Sequence, residues 1–388
     1  MRILGMSDTP NVGSGFANAM GALMNELGKL GNECYYLGWQ YYGQAEKFAS
    51  QPNFTILPNF GGHPFGGNSL PTHLMHVRPN VLLVLGDFHM TQWIINLPRI
   101  VPYCHWFPID GAPIPTSIKN WLRYTDMKVC FSKFGLAECE KAGIGNVSYI
   151  PHGVDSVLYH PSLEDRVETR KQFASYYNIP NIEKKFIVGQ VNRNQRRKMF
   201  DRWLQTMQIV CQKDPDVMGW LHCDYNEPPE SNGWNIPYML ERLGLQGRIF
   251  QTPQYVNYMY GLTPQRMNQL YNSFDIHFSA TGGEGFGLST VESQAAGVPN
   301  VISDYSTSRE LVQDHGELVK VETFEICGAG VDRSLIDIND GAERILKLKN
   351  DPALREKYSV AGREHMVREY NWEGIGKAFD TYLKKMLA

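Results

Sequence analysis

Two glutamates, Glu284 and Glu292, stand eight positions apart in the stretch TGGEGFGLSTVESQAAGVPN, residues 281–300. The first lies among Gly282, Gly283, Gly285 and Gly287, just after the apolar run IHFSA, and the second falls one turn into a segment that reads as a helix. An ionised carboxylate only accepts hydrogen bonds, so it can hold sugar hydroxyls or face a developing cation. Packing gives no reason for Glu284 in such a loop. Glu292 has a competing role, because Ser289, Thr290, Val291 and Glu292 form a capping-box pattern in which its side chain would satisfy a free N–H at the helix start.

A second cluster is basic. The stretch VGQVNRNQRRKMFD follows another apolar run and places Arg193, Arg196, Arg197 and Lys198 within six residues. A solvated helix face is the ordinary fate of such a run. At the carboxyl end of a parallel strand, a guanidinium and an ammonium also suit a leaving diphosphate, whose negative charge grows as its bond breaks. A third loop, SDTPNVGSGFANAM, follows the run RILGM, and its Gly13, Ser14 and Gly15 allow close backbone approach ahead of a helix whose first N–H groups favour an anion. The plain alternative is a flexible strand-to-helix turn. The loop lacks a GxGxxG fingerprint with a following acidic ribose ligand, which disfavours a nicotinamide enzyme.

These loops need strands and helices to hold them. Short apolar runs alternate with amphipathic segments along all 388 residues, the mark of an α/β chain with parallel sheets covered by helices. In the first part, strands are expected at RILGM, ECYYLGW, FTILP, NVLLVL, RIVPYC, MKVCFS and VSYIPHG. After the polar stretch SLEDRVETRKQFASYYNIPNIEKK a second series runs through FIVGQV, VMGWLHC, RIFQT, IHFSA, PNVIS and GELVKV. The expectation is therefore two tandem Rossmann-like, doubly wound domains, 1–165 and 166–370, with a hinge near 155–182. An amphipathic helix over 371–388 is free to pack on either domain, including back on the first. Open parallel sheets bind ligands outside the carboxyl ends of their strands, so all three loops are candidate sites.

Composition removes other classes. A net charge of −3 argues against a general polyanion binder, and 43% hydrophobic residues suffice for large cores. The seven cysteines are odd in number, scattered and without a CxxC pair, so neither a disulfide framework nor a zinc knuckle is indicated, and a reducing, cytoplasmic setting is expected. The N-terminus reads as a first strand rather than a signal sequence. The most apolar run, NVLLVLGDFHMTQWIINL, is interrupted by Asp87 and His89, so no transmembrane segment is expected, although peripheral membrane contact stays open. The DPD at 214–216 reads as a turn, and no metal site is expected.

At this point the motifs resemble a known family. EGFGLSTVESQAAGVP is similar to the E-x7-E signature of retaining glycosyltransferases of family four, and YIPHGVDSVLYHP resembles their interdomain I-P-N-G-V-D segment. The resemblance implies GT-B architecture, two Rossmann-like domains facing a central cleft, with a nucleotide-diphosphate sugar as co-substrate held mainly by the second domain and no cofactor. By that resemblance Glu284 bonds the transferred sugar, the backbone of Gly285, Phe286, Gly287, Leu288 and Ser289 holds hydroxyls and phosphate, and Glu292 binds the nucleotide ribose. Gly13, Ser14 and Gly15 would lie against the diphosphate. Where family members start the basic loop with G-R, this chain has Gly189 and Gln190, so Arg193 is assigned the missing guanidinium and Lys198 the lysine. The family also places a histidine after a central strand near the anomeric centre. In RIVPYCHWFPIDG that is read as His105, with Asp110 as the substitute.

The implied activity is a retaining, hexosyltransferase-like glycosyl transfer to an acceptor hydroxyl of a glycan, lipid, protein or nucleic acid. A nucleotide-sugar epimerase of the same architecture and a non-catalytic nucleotide-sugar binding module are the alternatives.

Overall fold

The computed structural model describes residues 1–176, 179, 182–225, 233–252 and 261–388. They form two compact units. The first comprises Met1–Gly153 together with Tyr370–Ala388, and the second is Val154–Glu369. The division at Gly153 precedes the expected boundary at 165, because the polar stretch after Pro161 includes a helix, Arg166–Tyr176, whose Phe173 and Ala174 are buried in the second unit.

In the first unit the strands are β1 (Arg2–Ser7), β2 (Glu33–Gly38), β3 (Glu46–Lys47), β4 (Phe54–Leu57), β5 (Val81–Leu85), β6 (Tyr103–Phe107), β7 (Met127–Cys130) and β8 (Val147–Tyr149). They pair in the order β3-β4-β2-β1-β5-β6-β7-β8, all parallel except β3 on β4. Every residue of β5 is buried, as a central parallel strand covered on both faces requires. The helix Gly15–Lys29 lays Ala17, Met20, Leu23, Met24 and Leu27 on the sheet. The C-terminal helix Trp372–Leu387 completes this unit. Its Phe379 stands 4.9 Å from the Trp106 ring, and Asp380 accepts a 2.8 Å hydrogen bond from Asn32 Nδ2.

In the second unit the strands are β9 (Phe186–Val191), β10 (Val217–His222), β11 (Ile249–Gln251), β12 (Ile276–Ser279), β13 (Asn300–Ser303) and β14 (Glu317–Val319). Their order, β11-β10-β9-β12-β13-β14, is wholly parallel and is the 3-2-1-4-5-6 arrangement of a dinucleotide-binding sheet. The strand order reverses between β9 and β12, and the crevice at such a switch point is where ligands bind. A hairpin of β15 (Val321–Ile326) and β16 (Asp332–Ile336), not expected from the sequence, follows β14. Trp203 and Phe278 are fully buried here, with Trp203 Nε1 donating to the Phe278 carbonyl at 3.1 Å, and burying each such side chain contributes about 1.5–3 kcal/mol.

Candidate active site

The loops after β9 and β12 meet at the switch point of the second unit. Past β9 the chain makes a single 3-10 turn over Arg196–Lys198, then Met199 adopts a left-handed conformation (φ 49°) and opens the helix Phe200–Lys213. Past β12 runs the glycine loop, and Gly287 (φ 108°) opens the helix Leu288–Ala295. The Gly282 N–H donates to the Arg197 carbonyl at 2.7 Å, and Thr281 Oγ1 donates to the same carbonyl at 3.3 Å. A Cβ at Gly282 would meet the Met199 methyl at 2.7 Å and the Ser334 carbonyl at 3.2 Å, so the chain passes close to its neighbours at this point.

This approach brings Glu284 onto two cations. Arg197 Nη1 donates to Glu284 Oε2 at 3.0 Å and to the Gly283 carbonyl at 3.1 Å, while Lys198 Nζ makes a short bond to Glu284 Oε1. The Glu284 backbone N–H donates to Ser306 Oγ at 2.9 Å. Side-chain exposure is 13% for Glu284, 9% for Lys198 and 33% for Arg197. Burial alone would push the Glu284 carboxyl up, but Lys198 and Arg197 outweigh it and hold the group at about 2. Glu284 is therefore ionised at neutral pH.

The sequence singled out Lys198 and Arg193, and the structure adds a second arginine beside Lys198. Arg193 is exposed, and Arg197, seen only as one member of a charge run, reaches Glu284. The local signal was adjacency to Lys198: two consecutive residues of one tight turn can reach the same carboxylate.

Glu292 has different surroundings. It sits in the fifth residue of its helix, with Gly287 as the N-cap and no side-chain cap, so the expected capping box does not form. Its Oε2 instead accepts a 2.8 Å bond from Tyr271 Oη, and Tyr159 is a second donor. Burial raises its carboxyl to about 7 in spite of those two bonds. Gly285 and Phe286 are buried, while Gly287, Leu288 and Ser289 are partly exposed at the start of this helix, whose first N–H groups have no intrahelical partner.

In the first unit, Ser14 caps the helix Gly15–Lys29: its Oγ accepts from the Ala17 N–H at 3.1 Å and donates to Asp8 at 2.5 Å. The buried Asp8 also accepts from Gln40 Nε2 at 2.7 Å. Gly13 and Gly15 flank this cap and are exposed.

The placement of His105 requires correction. Expected just past a strand spanning residues 99–104, it lies inside β6, fully buried, because the strand starts only after Pro102. Its Nε2 bonds the Gly86 carbonyl at 3.0 Å, the Trp121 ring lies 4.5 Å away, and burial lowers its pKa to about 3. It is a neutral core histidine. The substitute, Asp110, is partly exposed three residues beyond the end of β6, the position the expected role calls for. Asp87 and His89 lie just beyond β5, where Asp87 precedes the short helix Phe88–Thr91 and His89 is exposed.

The DPD stretch is a turn, with Asp214 paired to Lys349 and Asp216 to Lys185. All seven cysteines are free. Among the described residues no group of His, Cys, Asp and Glu is arranged to hold a metal ion, and no helix is long and apolar enough to cross a membrane.

Two parallel-sheet α/β units, with an acidic glycine loop against a basic loop at one switch point, define a protein of the GT-B class. Residues 250–365, the stretch that carries both glutamates, match the family described as glycosyl transferases group 1. The chain is 25% identical over 214 residues to the poly(ribitol-phosphate) alpha-N-acetylglucosaminyltransferase of Staphylococcus aureus, covering 54% of this chain and 38% of the relative. It is 25% identical over 299 residues to a GDP-mannose-dependent monoacylated alpha-(1-6)-phosphatidylinositol monomannoside mannosyltransferase of Corynebacterium glutamicum, covering 74% and 70%. The match thus spans 38% and 52% of the length of two Staphylococcus aureus relatives, the second a capsular polysaccharide glycosyltransferase. In fold, the chain is similar to sucrose-phosphate synthase from Thermosynechococcus elongatus (TM-score 0.78, 16% identity, 100% of this chain and 99% of that one). It is also similar to HepE from Anabaena, solved with UDP-glucose (TM-score 0.74, 15% identity, 99% and 100%).

Proposed function

We propose that the chain is a retaining glycosyltransferase that moves a sugar from a nucleotide-diphosphate sugar to an acceptor hydroxyl without a metal ion. The observation that carries this reading is the Glu284 carboxylate at a switch point, ionised and held by Lys198 and Arg197. Glu284 accepts from hydroxyls of the transferred sugar. Lys198 and Arg197 donate to the diphosphate, whose charge grows as the bond from the anomeric carbon to phosphate oxygen breaks. The acceptor oxygen bonds that carbon from the same face and passes its proton to the departing phosphate oxygen, so the products are a glycoside and a nucleoside diphosphate. The two cations meet the phosphate charge that a divalent metal would otherwise meet. Glu292 accepts from the ribose, and Asp110, with Asp87 and His89, is assigned to the acceptor side. The GDP-mannose in the name of the Corynebacterium glutamicum relative and the UDP-glucose of the HepE complex support this donor class.

Incubation with UDP-glucose or GDP-mannose and a panel of glycan and lipid acceptors tests the reading, with the anomeric configuration of the product read by NMR. Transfer with retention that persists in EDTA is expected. A new sugar isomer formed from donor alone would make the chain an epimerase, and donor-dependent thermal stabilisation without turnover would make it a binding module.

A further inference from the structure

Glu292 is held from several sides. The helix Pro264–Asn272 contributes Tyr271, fully buried, whose hydroxyl donates to Glu292 Oε2 at 2.8 Å. The segment that opens the second unit contributes Tyr159, 8% exposed, the second hydroxyl bonded to Glu292, with Asp155 near it. The two rings meet edge to face, 5.9 Å apart. From the helix Pro352–Glu369, the Arg363 guanidinium donates to the Tyr159 carbonyl at 3.0 Å and to the carbonyl of Ala295, the last residue of the helix that carries Glu292. From β12, His277 stands 6.4 Å from the Tyr271 ring, with Nδ1 2.8 Å from Asn300 Oδ1. The segment carrying Tyr159 is thereby fastened, through Arg363, to the end of the helix carrying Glu292.

We propose that Tyr159 and Tyr271 are positioning residues for the donor, holding the Glu292 carboxylate ionised and oriented for the two vicinal hydroxyls of the nucleotide ribose. This rests on the reading of Glu292 given above. A carboxylate has roughly four lone-pair sites, so it can accept from two tyrosines and two ribose hydroxyls at once. A protonated carboxyl carries its own O–H and loses acceptor capacity. Burial favours that protonated form and the tyrosine hydroxyls oppose it, leaving the group at about 7. Donor affinity should therefore rise with pH through neutrality, by about tenfold between about pH 6 and 8 for a single group of this pKa. Removing either hydroxyl leaves burial less opposed and moves the rise to higher pH.

The test is calorimetric titration with UDP-glucose and GDP-mannose from about pH 6 to 9, whose diphosphates carry no titrating group of their own near neutrality. The proteins are the unaltered chain, Tyr159→Phe, Tyr271→Phe, the double variant and Glu292→Gln, with thermal melts alongside. Each Tyr→Phe variant is expected to bind more weakly at neutral pH, by about fivefold for a midpoint shift of one unit, and to recover as the pH rises. Glu292→Gln is expected to bind weakly without the pH-dependent rise. If the Tyr→Phe profiles overlay that of the unaltered chain, or are weaker by the same factor at every pH, while Glu292→Gln loses affinity, the positioning role is wrong and the ribose role of Glu292 stands. If Glu292→Gln binds as the unaltered chain does, or the unaltered chain binds neither sugar, the underlying reading fails and the positioning role falls with it. Tyr159→Phe, at the less buried site, decides the matter if the double variant does not fold.

Discussion

Glu284 and Glu292 stand on one loop and the helix that follows it, yet their surroundings are opposite. Glu284 faces an ammonium and a guanidinium and is held at about 2, whereas Glu292 faces two phenol hydroxyls and is raised to about 7. Both are desolvated, so burial does not distinguish them. The neighbours do: full charges outweigh the cost of desolvation, and neutral hydroxyls reduce it without cancelling it. The comparison teaches that a spaced pair of identical residues need not be a pair in function. Glu284 stays charged beside two cations, and Glu292 is poised where its protonation state can change.

The contrast breaks most visibly at the charged end. Glu284→Ala and Lys198→Ala should each lower kcat for nucleotide-sugar turnover by about a hundred- to a thousandfold, the scale of losing one preorganised donor. Near-normal turnover in either folded variant would remove that residue from the mechanism. A smaller loss, of about tenfold in kcat/KM or roughly 1.4 kcal/mol, is expected for the partly exposed Arg197→Ala, and Arg193→Ala should lose less. The reverse ranking would favour Arg193, the arginine assigned from sequence.

The contrast extends to stability. The carboxyl of Glu284 falls from its ordinary 4.5 to about 2 on folding, so its contribution is present above 4.5 and lost as the pH drops through about 2. Glu292 runs the other way, rising from 4.5 to about 7, and costs stability as the pH climbs across that interval. Melting curves from acid to mildly alkaline pH should therefore show Glu292→Gln gaining on the unaltered chain as pH rises, and Glu284→Gln losing its disadvantage only in strong acid. Parallel curves for both variants would mean that the two sites do not differ as described.

Much of the fold was legible because parallel strands buried on both faces read as unbroken apolar runs. VLLVL is such a run and FIVGQV is one broken only by Gln190, and each became a central strand. β6 was misplaced because RIVPYCHWF offers two overlapping apolar windows. Pro102, which lacks the N–H a ladder needs, was the local reason to choose the later one. That shift moved His105 into the core and left Asp110 at the strand end. The hairpin of β15 and β16 escaped notice because polar residues interrupt both strands, VETFEI being largely exposed and DRSLI only partly buried. Within the basic run, composition could not tell Arg193 from Arg197. The choice depends on a 3-10 turn and a left-handed Met199, which a list of charges does not encode.

The C-terminal helix has a consequence for how the protein is made. The first unit is interrupted at Gly153 and resumes only at Tyr370, so 216 residues of the second unit (154–369) are synthesised before it is finished. Until then Trp106 lacks Phe379 and Asn32 lacks Asp380. Domains commonly fold in the order they leave the ribosome. Here the unit that begins to emerge first is sealed last, and loss of the final helix would strip the beginning of the chain rather than its neighbouring domain.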